Sequence, residues 1–258
     1  MTEPHDELRV KLPPVVRGSA RVLDAQSWSI PGPPAVVGIV GNNGAGKSSL
    51  FLNLANLLAC MSQSDWHLRD QRLTSRAFLS QHPALPPWLT TDEYARAFGF
   101  TISDLETYVP GLKMGELTGA RIAHLSEGQV QALALALTLA AEADITLLDE
   151  PLSALDLRRQ KGFRGFLAKW KVGASGRRLT LLSTQSATDI VGLCDAVVVL
   201  HEGTCRYAGP VAGLLAPTRV QRNPHACSPV RDKPVPLCLD DPRAFQVAVE
   251  DAVVGLLG

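Results

Sequence analysis

No sign of charge dominates this chain: 25 basic and 25 acidic side chains leave a formal net charge of +0 over 258 residues. With no basic run either, there is no phosphate-backbone stripe, and a nucleic-acid partner is excluded. A secretory leader is also missing, because the start, Met1-Thr2-Glu3-Pro4-His5-Asp6-Glu7, is polar and acidic with no apolar core. No stretch has the length and apolarity a bilayer requires. The best, Val130 to Ala143, is short and broken by Gln131, Thr138 and Glu142. Metal-ligand spacing is absent among the cysteines. Cys60, Cys194, Cys205, Cys227 and Cys238 are odd in number and scattered, which reads as reduced thiols, with Cys194 and Cys205 near strands. No internal repeat is visible.

What is present begins with Gly41-Asn42-Asn43-Gly44-Ala45-Gly46-Lys47-Ser48, a G-x-x-x-x-G-K-S loop. The apolar run Ala35-Val36-Val37-Gly38-Ile39-Val40 leads into it. A helical pattern follows, opened by Ser48 and Ser49, with Leu50, Leu54, Leu57 and Leu58 on one face. Strand, glycine loop and helix form the context this motif needs. Glycines let successive N–H groups turn inward onto phosphate oxygens, and the helix N-terminus adds partial positive charge. The motif assigns Lys47 to the β- and γ-phosphates and Ser48 to Mg²⁺.

The length suits one large α/β domain, alone or with a small subdomain. Val15 to Ile30 reads as short strands and turns ending at Pro31-Gly32-Pro33-Pro34. Between Gln81 and Leu125 the pattern is helical, as at Thr91 to Phe98. Alternation then resumes, with helices over 130–141, 157–170 and 187–193 and strands over 145–148, 179–183 and 196–200. That alternation predicts a mainly parallel sheet flanked by helices. From Pro217 the composition turns Pro-rich and linker-like. Asp241-Pro242 offers a helix start, and Phe245, Val249, Val253 and Leu257 form an apolar stripe that docks on the domain. The expected division is an N-terminal extension 1–14, a domain 15–216 with a helical subdomain at about 84–140, and a C-terminal linker and short helix 217–258.

A second motif, Ile145-Thr146-Leu147-Leu148-Asp149-Glu150-Pro151, puts two carboxylates at the C-terminal end of an apolar strand. That edge of a parallel sheet is where ligands bind. Asp149 is placed for Mg²⁺ and Glu150 for the attacking water. A third, Leu125-Ser126-Glu127-Gly128-Gln129, contains an S-x-x-Q capping box. With these residues the chain resembles the ATPase subunits of ATP-binding cassette (ABC) transporters, whose signature reads L-S-G-G-Q.

The resemblance runs from about Val15 to Leu215. It implies a P-loop NTPase core with an antiparallel β subdomain and a small helical subdomain. Ser126, Gly128 and Gln129 would meet the γ-phosphate held by an opposite subunit. Leu79-Ser80-Gln81 looks like the family's Q-loop, with Gln81 as Mg²⁺ ligand and sensor of the membrane partner. Ser153-Ala154-Leu155-Asp156 looks like the D-loop that crosses the dimer interface. Pro87-Trp88-Leu89-Thr90-Thr91-Asp92-Glu93-Tyr94 resembles the exporter branch. The implied activity is ATP hydrolysis that powers transport, with ATP and Mg²⁺ as cofactors. The implied partners are an integral membrane permease subunit and a second ABC ATPase subunit, and the implied location is the cytoplasmic face of the membrane.

Three positions depart from the family pattern. Glu127 replaces a glycine. Gln185 in Leu182-Ser183-Thr184-Gln185 stands where the switch histidine is expected, so a neutral amide takes over its contact with the γ-phosphate. No aromatic near Val16-Arg17-Gly18 is placed to stack adenine, which leaves the Arg17 guanidinium for that role; Trp28 reads as core. His124 and His201 do not match the switch motif and read as surface or structural. These departures point to a slow or degenerate ATPase, a regulatory ATP-binding subunit; a soluble, non-transport ABC ATPase is a separate alternative.

Overall fold

Leu8, Val10 and Leu12 are buried while Arg9 and Lys11 between them are exposed, the period-two pattern of a half-buried strand. In the computed structural model this strand, β1 (Glu7–Leu12), opens the fold. The structure describes residues 7–17, 19–31, 35–55, 65–68, 71–72, 74–173, 178–215 and 251–255. The chain divides into two units, Met1–Thr74 with Leu179–Gly258, and Ser75–Arg178.

In the first unit β1 is followed by β2 (Val15–Arg17), β3 (Ala20–Leu23), β4 (Gln26–Pro31), β5 (Val36–Val40) and α1 (Lys47–Leu54). Then come β6 (Asp65–Leu68) and β7 (Gln71–Arg72). The order β4-β1-β6-β7 forms an antiparallel sheet, and β2 and β3 form a separate hairpin. The sequence places β1 in an extension ahead of residue 15. Its pairing on both edges with β4 and β6 makes it instead a member of the antiparallel sheet.

The second unit starts with β8 (Arg76–Leu79), which pairs in parallel with β9 (Ile145–Leu148). Between them lie α2 (Thr91–Ala97), α3 (Ile102–Tyr108), short 3₁₀ turns over 110–124, and α4 (Glu127–Ala140). Thr90 with Glu93 and Thr101 with Asp104 form capping boxes that satisfy the free N–H groups of α2 and α3. Leu105, Leu112, Met114 and Leu117 are fully buried around them. After β9 comes α5 (Leu157–Gly173). Its Arg159 is buried and donates to the Leu112 carbonyl (3.1 Å) and to Glu116 (2.8 Å), so one guanidinium ties α5 to the 3₁₀ turns. This unit extends on both sides of the expected helical block 84–140.

The chain returns to the first unit with β10 (Leu179–Ser183), α6 (Ala187–Leu193), β11 (Ala196–His201) and β12 (Thr204–Pro210). The strand order here is β12-β11-β5-β10. β5 lies parallel to both β10 and β11, and β12 runs antiparallel at the edge. All five residues of β5 and of β10 are buried, as a strand covered on both faces requires. The Asp195 carboxylate accepts the N–H groups of Ala35 (2.9 Å) and Val36 (3.0 Å), which fixes the start of β5. The fold is therefore a P-loop α/β core with mainly parallel strands, an antiparallel β region and a helical region.

Pro33, Cys60, Cys227, Cys238 and the helix start Asp241-Pro242 lie outside the described residues. Among the described residues, Cys194 and Cys205 are in no disulfide; their thiols donate to the carbonyls of Asp189 (3.8 Å) and Tyr207 (3.2 Å). Among the described residues, no helix is long and apolar enough to cross a membrane.

Candidate functional site

β5 delivers the chain to Gly41, and the loop then folds back, with the Ala45 N–H bonded to the Asn42 carbonyl (3.0 Å). α1 begins at Lys47 without a side-chain cap. A helix N-terminus of this kind carries partial positive charge that suits a phosphate. Gly46 has φ 98°, and a Cβ there would lie 2.6 Å from Leu23 Cδ2 and 3.2 Å from the Val22 carbonyl oxygen. Only glycine combines that backbone angle with the close approach of β3.

Lys47 is buried, and its ammonium donates to the carbonyls of Gly41 (2.7 Å) and Asn42 (3.2 Å). The charge is thus held on the inside of the loop. Asn42, Asn43, Gly44 and Ser48 are exposed, while Ala45 and Ser49 are buried. Gln185 follows β10, is exposed, and donates from Nε2 to Asn43 Oδ1 at 3.4 Å. The structure thereby brings the phosphate loop and the switch position together within the first unit. A buried carboxylate behind Gln185, Asp189, escapes the sequence reading; it accepts from Thr184 Oγ1 at 3.4 Å. The signal was local, since Ser186 caps α6 through the Asp189 N–H (3.3 Å).

The second unit carries the acidic motif. Asp149 is buried at the end of β9, and its N–H bonds to the Leu79 carbonyl (2.9 Å). Glu150 follows with φ 46°, a left-handed conformation that is strained for glutamate. Gln81 Nε2 donates to Glu150 Oε2 at 3.0 Å, so the Q-loop glutamine and the candidate base are neighbours.

Ser126 caps α4 with Gln129 in a complete capping box, as the spacing predicts. A Cβ on Gly128 would lie 2.5 Å from the Ala154 carbonyl oxygen, so the signature turn packs directly on the 153–156 loop. Glu127 points to His82, with Oε1 3.5 Å from Nδ1. Asp156 accepts the N–H groups of Arg158 and Arg159 (both 2.9 Å) and the Arg159 guanidinium. The Arg159 backbone N–H first, and its guanidinium second, hold the Asp156 carboxyl below its ordinary range. Asp156 therefore caps α5 as well as standing in the D-loop position.

Of the Mg²⁺ donors expected from the sequence, Ser48 lies in the first unit and Gln81 and Asp149 in the second. Among the described residues no group of three or more His, Cys, Asp or Glu is placed to hold a metal. A few hard oxygen donors suit an ion that keeps water and takes phosphate oxygens, as Mg²⁺ does. Of the other candidates, Trp28 is half-buried on β4, His124 is exposed and His201 is half-buried. Val16 is exposed near the expected base position, while the Arg17 side chain is outside the described residues.

A family model described as ABC transporter matches residues 26–153. The molybdenum import ATP-binding protein ModC of Mycobacterium tuberculosis is 33% identical over 210 residues, covering 71% of this chain. The chain spans only 56% of that relative's length. The taurine import ATP-binding protein TauB of Mesorhizobium japonicum is 32% identical over 201 residues, covering 72% of this chain and 76% of its own. The cytochrome c biogenesis ATP-binding export protein CcmA of Rhodopseudomonas palustris is 33% identical over 183 residues, with 68% and 90% covered. A solved structure, described as an ATP binding subunit of an ABC transporter, overlays with TM-score 0.67 at 22% identity. It covers 80% of this chain and 91% of its own, and it supports the fold.

Proposed function

Because the chain belongs to the ABC transporter family, we propose that it is the subunit that binds and hydrolyses ATP to power a membrane permease. The observation that carries this reading is the inward-held Lys47 on a glycine loop at the end of a buried strand. The loop N–H groups and Lys47 take the β- and γ-phosphates. Ser48, Asp149 and Gln81 are the residues that would hold Mg²⁺, which supplies charge neutralisation on the phosphates when bound. Water attacks the γ-phosphorus in line, the bond to the β–γ bridging oxygen breaks, and ADP and inorganic phosphate leave. Glu150 takes the proton of that water, with Gln81 holding its carboxylate. Gln185 turns from Asn43 to the γ-phosphate, and Lys47 stabilises the developing charge.

Ser126, Gly128 and Gln129 serve the γ-phosphate on a second ABC ATPase subunit, so that ATP closes a dimer and hydrolysis reopens it. The Glu127 carboxylate lies 3.5 Å from the His82 ring instead. Transport places the subunit at the cytoplasmic face of the membrane, through the permease. Export is the direction suggested by Pro87–Tyr94. Import is the second reading, favoured by the names of ModC and TauB. Inside-out and right-side-out vesicles of the assembled complex separate the two by the side from which ATP drives movement.

The test of the chemistry is Glu150→Gln. It is expected to keep ATP binding and to lower hydrolysis by about 100-fold or more. Parental turnover in this variant would remove Glu150 as the base. Loss of ATP binding in Lys47→Ala, with the fold kept by circular dichroism, checks the loop independently.

A further inference from the structure

Every recognised motif precedes Leu215, yet the structure returns the C-terminal segment to the phosphate loop. Residues 251–255 are helical. Val253 is 8% exposed and Val254 is 67% exposed. Together they line a cavity of about 510 Å³ whose other walls include Asn42, Asn43, Gln185 and Ile190. The polar lip of the loop and the apolar pair Val253 and Val254 thus share one cavity.

We infer that residues 251–255 are a cover on the face through which a second copy of this chain reaches the γ-phosphate, so that the two compete. The inference rests on the proposed function, in which Ser126, Gly128 and Gln129 of a second cassette must approach the loop past Asn43 and Gln185. The chamber stays large enough for a small polar ligand. The cover therefore opposes the second subunit rather than the nucleotide. Burial of Val253 gives the segment its hold, while Val254 keeps an apolar face in the open.

The experiment uses the full chain carrying Glu150→Gln, which holds ATP without turnover, and follows dimer formation by light scattering as ATP and Mg²⁺ are added. Because both copies must release it, a segment seated about two-thirds of the time in each copy lowers apparent dimer affinity about tenfold. Adding Val253→Glu is therefore expected to bring dimerisation to about tenfold lower protein concentration. Val254→Glu, at an exposed position, is expected to shift it less. In the Glu150→Gln chain without further change, the amides of residues 251–255 should lose protection from hydrogen exchange when ATP is added. Unchanged or weaker dimerisation in Val253→Glu overturns the inference, and so does protection that persists in the ATP-bound dimer. If Lys47→Ala binds ATP as well as the parent does, the proposed function fails instead, and the two failures are distinct.

Discussion

Gln185 is where a single side chain most changes the expected chemistry. Its amide rests on Asn43 at 3.4 Å, a long bond that is easily exchanged for a phosphate oxygen. An amide offers a donor but no titratable charge, so it stabilises the developing phosphate charge less than an imidazolium does. Hydrogen bonds to charged groups contribute about 1.5–3 kcal/mol, and about 1.4 kcal/mol is a factor of ten in rate. Gln185→His is therefore expected to raise kcat by about tenfold with the KM for ATP nearly unchanged, because Lys47 and the loop amides dominate binding. The check is steady-state ATPase of the assembled complex, parent against variant. An equal or lower rate would mean the site is already adapted to glutamine. The contact with Asn43 joins positions 142 residues apart, which spacing alone does not reveal. The loop itself was readable because its glycines and Lys47 are fixed by local geometry.

At the scale of elements, the signature turn and the 153–156 loop behave as one piece. A methyl on Gly128 would press into the Ala154 carbonyl at 2.5 Å, and both neighbours are backbone that does not rotate away. Gly128→Ala is expected to cost about 1–3 kcal/mol, the usual range for overpacking, and to lower ATP-dependent dimerisation. Urea unfolding and light scattering read the two effects. The buried strands β9, β10 and β11 and helices α4, α5 and α6 were legible in sequence because runs such as Val197–Leu200 are apolar throughout and the helices between them keep their period. β8 and β12 were not. β8 opens on Arg76 and is only half-buried over its first three residues, and β12 carries Gly209 and Pro210 on an edge where polar residues are tolerated. β1 shows clear alternation, but its membership in a sheet depends on β4 and β6, partners far along the chain.

Across the whole molecule the equal counts of acid and base conceal a bias in how the acids are placed. Thr90 lowers the Glu93 carboxyl through its backbone N–H and then its hydroxyl, and Thr101 does the same for Asp104. Lys113 lowers Glu116, Arg178 and then Tyr108 lower Glu142, and Arg159 lowers Asp156. A carboxyl whose folded value lies below its unfolded value stabilises the fold above the ordinary carboxylate range. That contribution is lost as pH falls through the lowered values. All five shifts have this sign, so they act together rather than cancel. These side chains are largely exposed, and salt weakens the charged pairs among them. The expected outcome is a Tm nearly constant from neutral pH down to about 5, then falling steadily towards pH 3. Glu142→Gln removes the pairing with Arg178 (2.8 Å) and Tyr108 (3.0 Å), so it should lower Tm at pH 7 and flatten the acid limb. Differential scanning calorimetry of both proteins at a series of pH values decides it. An acid limb equally steep in the variant would show that Glu142 does not contribute to the acid loss of stability.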